Sequence, residues 1–376
     1  MKHAALPERV ATRLAFLAAG TAMSAWAPLV PYARIRTAVE QGTLGLLLLA
    51  LGIGSLVAMP VTATLAGRFG CRPVIMLSGL GCCLVLPLLA LAPTAASLAL
   101  ALFLFGAALG TLDVAMNIQA VVIEKAYGGA LMSGFHGMFS VGGIAGALGM
   151  TALLWGGIGV AAAAALMAAL VALVLLAASP HLLSARASTG RDCPLMALPR
   201  GAVILIGVLC GLVFLAEGAV LDWSAIFLTS GGAFSQAQGG LGYAAFAGAM
   251  TLGRLNGDWI VERWGGKLVV MLGGCAAALG FVATVLAPSP WIALLGFVLV
   301  GLGASNVVPV LFSAAGRQHD MPASAAISAV TTIGYAGILA GPALIGLVAH
   351  GSSLHMAFLG LAGAMLVVAF SASRAS

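Results

Sequence analysis

Apolar residues in this chain neither alternate nor keep to a narrow helical stripe; they run on. Stretches of about 20 such residues recur almost from end to end, each long enough to cross a bilayer as a helix. The runs occupy 14–33, 42–66, 73–92, 96–120, 131–154 and 158–179, then 201–223, 238–260, 267–287, 290–314, 323–349 and 354–371. Polar residues gather in the short breaks between them. The longest break, "SPHLLSARASTGRDCPLMALPR", is rich in Ser, Pro and Arg and reads as a linker rather than a domain. Continuous runs exclude a transmembrane β-barrel, whose strands alternate apolar and polar positions. The pattern predicts an all-α membrane protein with twelve transmembrane helices. It divides into an N-terminal six-helix bundle over 1–180, a cytoplasmic linker over 181–199 and a C-terminal six-helix bundle over 200–376.

Composition closes off the soluble alternatives. Of the 376 residues, 62% are hydrophobic and 7% charged, against about 25% charged in soluble domains. The formal charge of +6 does not point to nucleic acid, because basic residues sit in small groups at the ends of apolar runs and form no basic stripe. Their sidedness is informative instead. With the N-terminus inside, inner segments hold fourteen Lys and Arg, and outer segments hold two, Arg34 and Arg36. That is the positive-inside pattern, and it predicts a multi-pass inner-membrane protein with both termini cytoplasmic. The N-terminal stretch mimics a signal peptide, but its apolar run continues to about Pro31 and reads as a retained first span. Six cysteines without a CxxC pair argue against structural disulfides and a metal site.

The two halves repeat. "GRFGCR" after the second run matches "ERWGGK" after the eighth, and "GGIAG" at 142–146 matches "GILAG" at 337–341, both offset by 195. Trp26 falls near Trp223 in this alignment, and Asp113 near Asn306. Parallel halves joined by a linker suit a central cavity between two bundles that rock against each other, which predicts a transporter.

Polar residues within the runs are the candidate chemistry. A carboxylate at the centre of a membrane helix costs about 2.5–3.5 kcal/mol on insertion scales, so it usually faces a cavity or a partner. Asp113 in "GTLDVAMN" is such a residue. Asn117 lies one turn on, with Gly110 and Gly106 extending the same face, which reads as a small-sided polar stripe. Glu217 in the seventh run is a second buried acid, expected in the outer half of its helix. Asp222 is about 140° away from it around the helix and reads as an interface residue beside Trp223. Ser133, His136 and Ser140 share one face of the fifth run, suiting either a solute or a neighbouring helix. Asn306 and Trp26 are further candidate solute contacts, and Pro309 predicts a kink in the tenth run. A Ser–His hydrolase is disfavoured because no third orienting residue accompanies the pair, and no nucleotide-binding motif supports ATP-driven transport.

Four segments carry a family resemblance. "ATLAGRFGCR" at 63–72 and "DWIVERWGGK" at 258–267 resemble the loop signature G-x-L-A-D-R-x-G-R-K of the major facilitator superfamily. Arg68, Gly70 and Arg72 match in the first copy, where Gly67 replaces the Asp; Glu262, Arg263, Gly265 and Lys267 match in the second. "GTLDVAMN" and "FLAEGAVLDWSAIFL" resemble patterns of the superfamily's fucose, galactose and glucose proton-symporter branch, with Asp in place of Glu at 113 and no carboxylate in the first run.

The resemblance implies a non-enzymatic secondary transporter working by alternating access. It would move a small polar, possibly sugar-like solute with protons, Asp113 and Glu217 carrying the proton. Asn117, His136, Asn306 and Trp26 would contact the solute. A gating latch, in which an acid holds a helix end across the domain interface, would involve Arg254, Asp258, Glu262, Arg263 and Arg68. The expected partners are the solute, protons and the lipid bilayer; no cofactor, metal or nucleic acid is expected, and the chain is expected to act as a monomer. Two other readings stay open: proton-driven efflux of amphipathic drugs or metabolites, and a non-transporting receptor or scaffold. The missing proline in "VGGIAGALG" of the fifth run weighs against drug antiport.

Overall fold

A computed structural model of the chain describes residues 6–184, 198–230, 234 and 238–375. The described residues form α-helices and two single 3-10 turns, with no strand among them. The first helices in chain order are α1 (Leu6–Ala25), α2 (Val30–Thr37), α3 (Gln41–Phe69), α4 (Cys71–Leu91) and α5 (Ala95–Tyr127). Next come α6 (Met132–Trp155), α7 (Val160–Ala178), α8 (Ala202–Ser230), α9 (Leu241–Leu255) and α10 (Gly257–Trp264). The last are α11 (Gly266–Leu286), α12 (Pro290–Ala304), α13 (Val307–Arg317), α14 (Ala323–Gly351) and α15 (Leu354–Ala375). Among the described residues, eleven segments are long and apolar enough to cross a membrane, and the chain is a multi-pass membrane protein.

Several of the predicted runs differ from the helices observed, the fourth continuing past 120 to Tyr127 as α5. The first is interrupted after Ala25, where Pro28 opens a short 3-10 turn over Ala27–Leu29. The seventh does not stop at Trp223: α8 continues to Ser230, whose hydroxyl donates to the Phe227 carbonyl at 2.8 Å. The eighth divides at Asn256 into α9 and α10, so neither piece alone reaches membrane length; α9 spans only about 22 Å. The tenth breaks at Ser305–Asn306, three residues ahead of the proline expected to kink it. Most of the linker, 185–197, lies outside the described residues, with Arg186, Arg191 and Cys193 in it.

The helices group into two compact units. The first takes Met1–Gly128, Met138–Leu198 and Met321–Ala329; the second takes Gly129–Gly137, Pro199–Asp320 and Val330–Ser376. The units thus depart from a clean division at the linker, since the first turns of α6 and α14 each group with the other half of the sequence.

In the first unit α5 is the central helix, packed against α3, α4 and α1. Its approach to α3 is close because Gly106 and Gly110 carry no side chain: a Cβ at Gly106 would strike the Leu51 backbone, and one at Gly110 would meet Ser55. Ser55 Oγ donates to the Gly106 carbonyl at 2.8 Å across this seam. Gly106 and Gly110 therefore serve helix packing against α3 and not the lining of a cavity, so the polar stripe shortens to Asp113 and Asn117. Gln119 ties three segments: its Nε2 donates to Thr12 Oγ1 at 2.9 Å, and its Oε1 accepts the Leu183 N–H at 3.1 Å. Arg36 caps the C-terminus of α4, donating to the carbonyls of Ala92 at 3.0 Å and Leu89 at 3.1 Å.

In the second unit α11 packs on α12 and α15, α9 on α12, and α8 on α9, α13 and α15. Phe281, Phe297 and Phe358 interlock edge to face, with Phe227 of α8 stacked on Phe358 at 5.0 Å. Asp320 accepts the Ala202 N–H at 2.6 Å, a carboxylate at the N-terminus of α8.

Candidate functional site

Each unit contains a polar centre within its apolar helices. In the first, Asp113 and Asn117 sit one turn apart on α5, which runs unbroken through both. Asn117 Nδ2 donates to the Asp113 carbonyl at 2.9 Å and to its carboxylate Oδ1 at 3.2 Å. Asn117 is 1% exposed, and its own Oδ1 is buried without a hydrogen-bond partner. A buried, unsatisfied amide oxygen usually costs about 1–3 kcal/mol, so its retention marks a position with a use beyond packing. Trp26 belongs to the same unit, buried at the interruption that follows α1.

The second centre is built on two broken helices. Proline at 309 has no N–H, so in a continuing helix the carbonyl four residues back, that of Ser305, would lose its partner. Arg254 Nε, from the end of α9, donates to that carbonyl at 3.2 Å. The exchange is reciprocal. At the break between α9 and α10, the Gly253 carbonyl accepts from Asn306 Nδ2 at 3.1 Å. Ser305 Oγ satisfies the Leu302 carbonyl at 2.7 Å and also accepts from Asn306 Nδ2 at 3.1 Å. Two interrupted helices inside a membrane are tolerable because side chains of each satisfy carbonyls released by the other.

Arg254 is 7% exposed, and its Nη2 lies 3.4 Å from Glu217 Oε1 on α8. Glu217 lies one residue past the midpoint of the 29-residue α8, because the helix runs on to Ser230. Asp222 is exposed and lies two turns before the end of α8. His136 contributes from the first turns of α6: its ring meets Phe312 of α13 edge to face at 5.6 Å, and it interacts electrostatically with Arg254. Gly257 abuts both the Asn306 side chain and Ser133, so a Cβ there would overlap them.

The latch residues separate. Asp258 Oδ1 accepts the Gly134 N–H at 2.8 Å, near the N-terminus of α6, with Gly134 grouped in the second unit. Arg254 belongs to the buried centre and lies within α9, not in a loop. Glu262, Arg263 and Arg68 are exposed, with Arg68 lying over the Phe69 ring at 5.6 Å. The Arg254–Glu217 pair was not anticipated from the sequence. Its only signal was that Arg254 fell inside an apolar run and not beyond it.

Comparison with known proteins fits this architecture. Residues 14–325 match the sequence model of the Major Facilitator Superfamily. An uncharacterized MFS-type transporter of Yersinia pestis is 54% identical over 367 residues, covering 98% of this chain and 95% of that protein. The membrane protein MosC of Rhizobium meliloti is 30% identical over 357 residues, covering 94% of this chain and 86% of that one. Among solved structures, the fucose:proton symporter of E. coli superposes with a TM-score of 0.80 at 15% identity, covering 99% of this chain and 98% of that chain. The proton:xylose symporter XylE superposes at 0.74 with 12% identity, covering 98% and 94%. At those identities the structural likeness speaks for the fold alone, whereas the sequence match fixes the family. The chain is a transporter, not an enzyme, and belongs to the Major Facilitator Superfamily.

Proposed function

We propose that the protein is a proton-coupled secondary transporter of a small polar solute, working by alternating access across the inner membrane. Twelve spans carry it, α9 and α10 together forming the eighth, and the termini are cytoplasmic by the positive-inside rule. The observation that carries the reading is the Asp113–Asn117 pair. A carboxylate on an unbroken membrane helix, beside an amide whose oxygen has no partner, offers a proton site next to a hydrogen-bonding site. Glu217 is the second proton-bearing acid. Asn117, His136, Asn306 and Trp26 contact the solute, and the likeness to the fucose and xylose symporters makes a sugar-like solute the first class to try. Asp258, holding the N-terminus of α6, is the centre of the gating latch, with Glu262, Arg263 and Arg68 contributing surface charge around it.

The test is uptake into proteoliposomes under an imposed pH gradient, with labelled fucose, galactose and xylose as probes. Accumulation that follows the gradient in the wild type and disappears in Asp113→Asn supports the reading. Accumulation undiminished by that change refutes Asp113 as the coupling acid. Gradient-driven extrusion of amphipathic dyes, with no sugar uptake, would favour the efflux reading instead.

A further inference from the structure

We propose that Arg254 binds an anionic group of the transported solute, a carboxylate in the simplest case, and that Glu217 is the internal carboxylate this group displaces. The proposal rests on the reading of Glu217 as a proton-bearing acid and narrows the solute class from polar to anionic.

Four observations lead here. First, capping the Ser305 carbonyl needs only a neutral donor, yet the chain buries a guanidinium there and must bury an acid to balance it. A buried ion pair is a poor way to gain stability compared with uncharged packing, so the charge has another use. Second, Arg254 Nε is fixed to Ser305 at the break between α12 and α13, independently of Glu217. The guanidinium is therefore already positioned, and its planar fork matches a carboxylate. Third, the closest approach of the Arg254–Glu217 pair is 3.4 Å, well outside the 2.7–2.9 Å of a strong charge-assisted bond. The resident acid holds its cation loosely. Fourth, the Glu217 side chain is 18% exposed, whereas that of Arg254 is 8% exposed, so the acid is the more accessible partner.

The charges balance without further groups. An incoming carboxylate pairs with Arg254, the Arg254–Glu217 contact breaks, and one proton from water binds Glu217, leaving the centre as neutral as before. A neutral sugar cannot replace the lost negative charge. The groups around the pair are few. From α9 come Arg254 itself and Tyr243, from α8 Cys210 and Asp222, and from α6 His136 beside Arg254. Of the other helices packed on α8, α14 brings Tyr335, whose ring meets Phe214 edge to face, and His350 near its end; α12 has no titratable side chain, α13 has Arg317 at its last residue, and α15 has His355 and Arg374 near its ends.

The experiment uses acetate and acetamide, equal in size and unequal in charge, with the purified full-length chain in detergent. Glu217→Ala leaves Arg254 without its acid. About 50 mM sodium acetate should then raise the melting temperature by on the order of 3 °C over equal sodium chloride, while acetamide does nothing. The double variant Glu217→Ala/Arg254→Ala should respond to neither. An acetate response no larger than that to chloride, or one persisting in the double variant, overturns the proposal. If Glu217→Ala does not fold, calorimetry on Glu217→Gln replaces it. Acetate should bind Glu217→Gln at least about tenfold more tightly than Glu217→Gln/Arg254→Gln, a difference of about 1.4 kcal/mol, and equal affinities overturn the proposal. Proton uptake on adding acetate to the wild type, read in weak buffer, separates the two readings. Acetate binding through Arg254 without proton uptake sinks Glu217 as a proton carrier and leaves the anion site standing.

Discussion

The first unit sets an acid beside a partner on its own helix, and the second sets one beside a partner on another helix. Asp113 meets Asn117 one turn along the same unbroken helix, so sequence spacing alone brings the pair together. Glu217 meets Arg254, 37 residues away on another helix, and that helix is itself interrupted two residues later. The difference teaches that the two carboxylates, though both embedded in apolar helices, are held at different structural cost. Removing the Asn117 amide breaks hydrogen bonds within one helix. Removing Arg254 uncovers a charge on α8 and a backbone carbonyl at the break in α12–α13 together.

The comparison breaks most visibly at Arg254. Arg254→Ala should destabilise the protein by about 3–5 kcal/mol, since it strands a buried carboxylate. The melting temperature in detergent checks this. The double change Glu217→Met/Arg254→Met should recover most of that loss while transport stays absent, because uncharged packing substitutes for the pair but not for its chemistry. Next in size is Asn306→Ala, which removes the donor to Gly253 and Ser305; a loss of about 1–3 kcal/mol is expected. Asp113→Asn is smaller in stability, within about 1 kcal/mol, because Asn117 keeps a backbone acceptor at residue 113. Its effect falls on coupling. Smallest is Glu262→Gln, an exposed change expected within about 0.5 kcal/mol and without effect on gating if Asp258 is the latch. Asp258→Asn, by contrast, should alter the rate of exchange between states, read from transport velocity in both directions.

Much of the fold could be read from the chain because hydropathy reports each apolar run directly. Asp113 and Asn117 were legible for the same reason: their relation is local, and only one helix need be drawn. The breaks at Asn256 and at Ser305–Asn306 were not legible, since the residues on both sides stay apolar and a hydropathy window passes over them. Pro309 signalled an interruption but placed it at itself, whereas the physical consequence falls on the carbonyl four residues earlier. Arg254 was read as latch charge, and its pairing with Glu217 on α8 is set by tertiary packing that spacing does not encode. The run was ended at Trp223, whereas α8 continues to Ser230 and so brings Glu217 close to its middle. The glycines beside Asp113 were read as cavity lining, and only the position of α3 reveals them as a packing seam.

The most direct measurement compares accumulation with counterflow in proteoliposomes for the wild type and Asp113→Asn, using the solute with the largest gradient-driven uptake. The account predicts that Asp113→Asn loses accumulation against a gradient but still exchanges labelled for unlabelled solute, because the acid couples the proton while the remaining site still binds. Accumulation in Asp113→Asn equal to that of the wild type would contradict it.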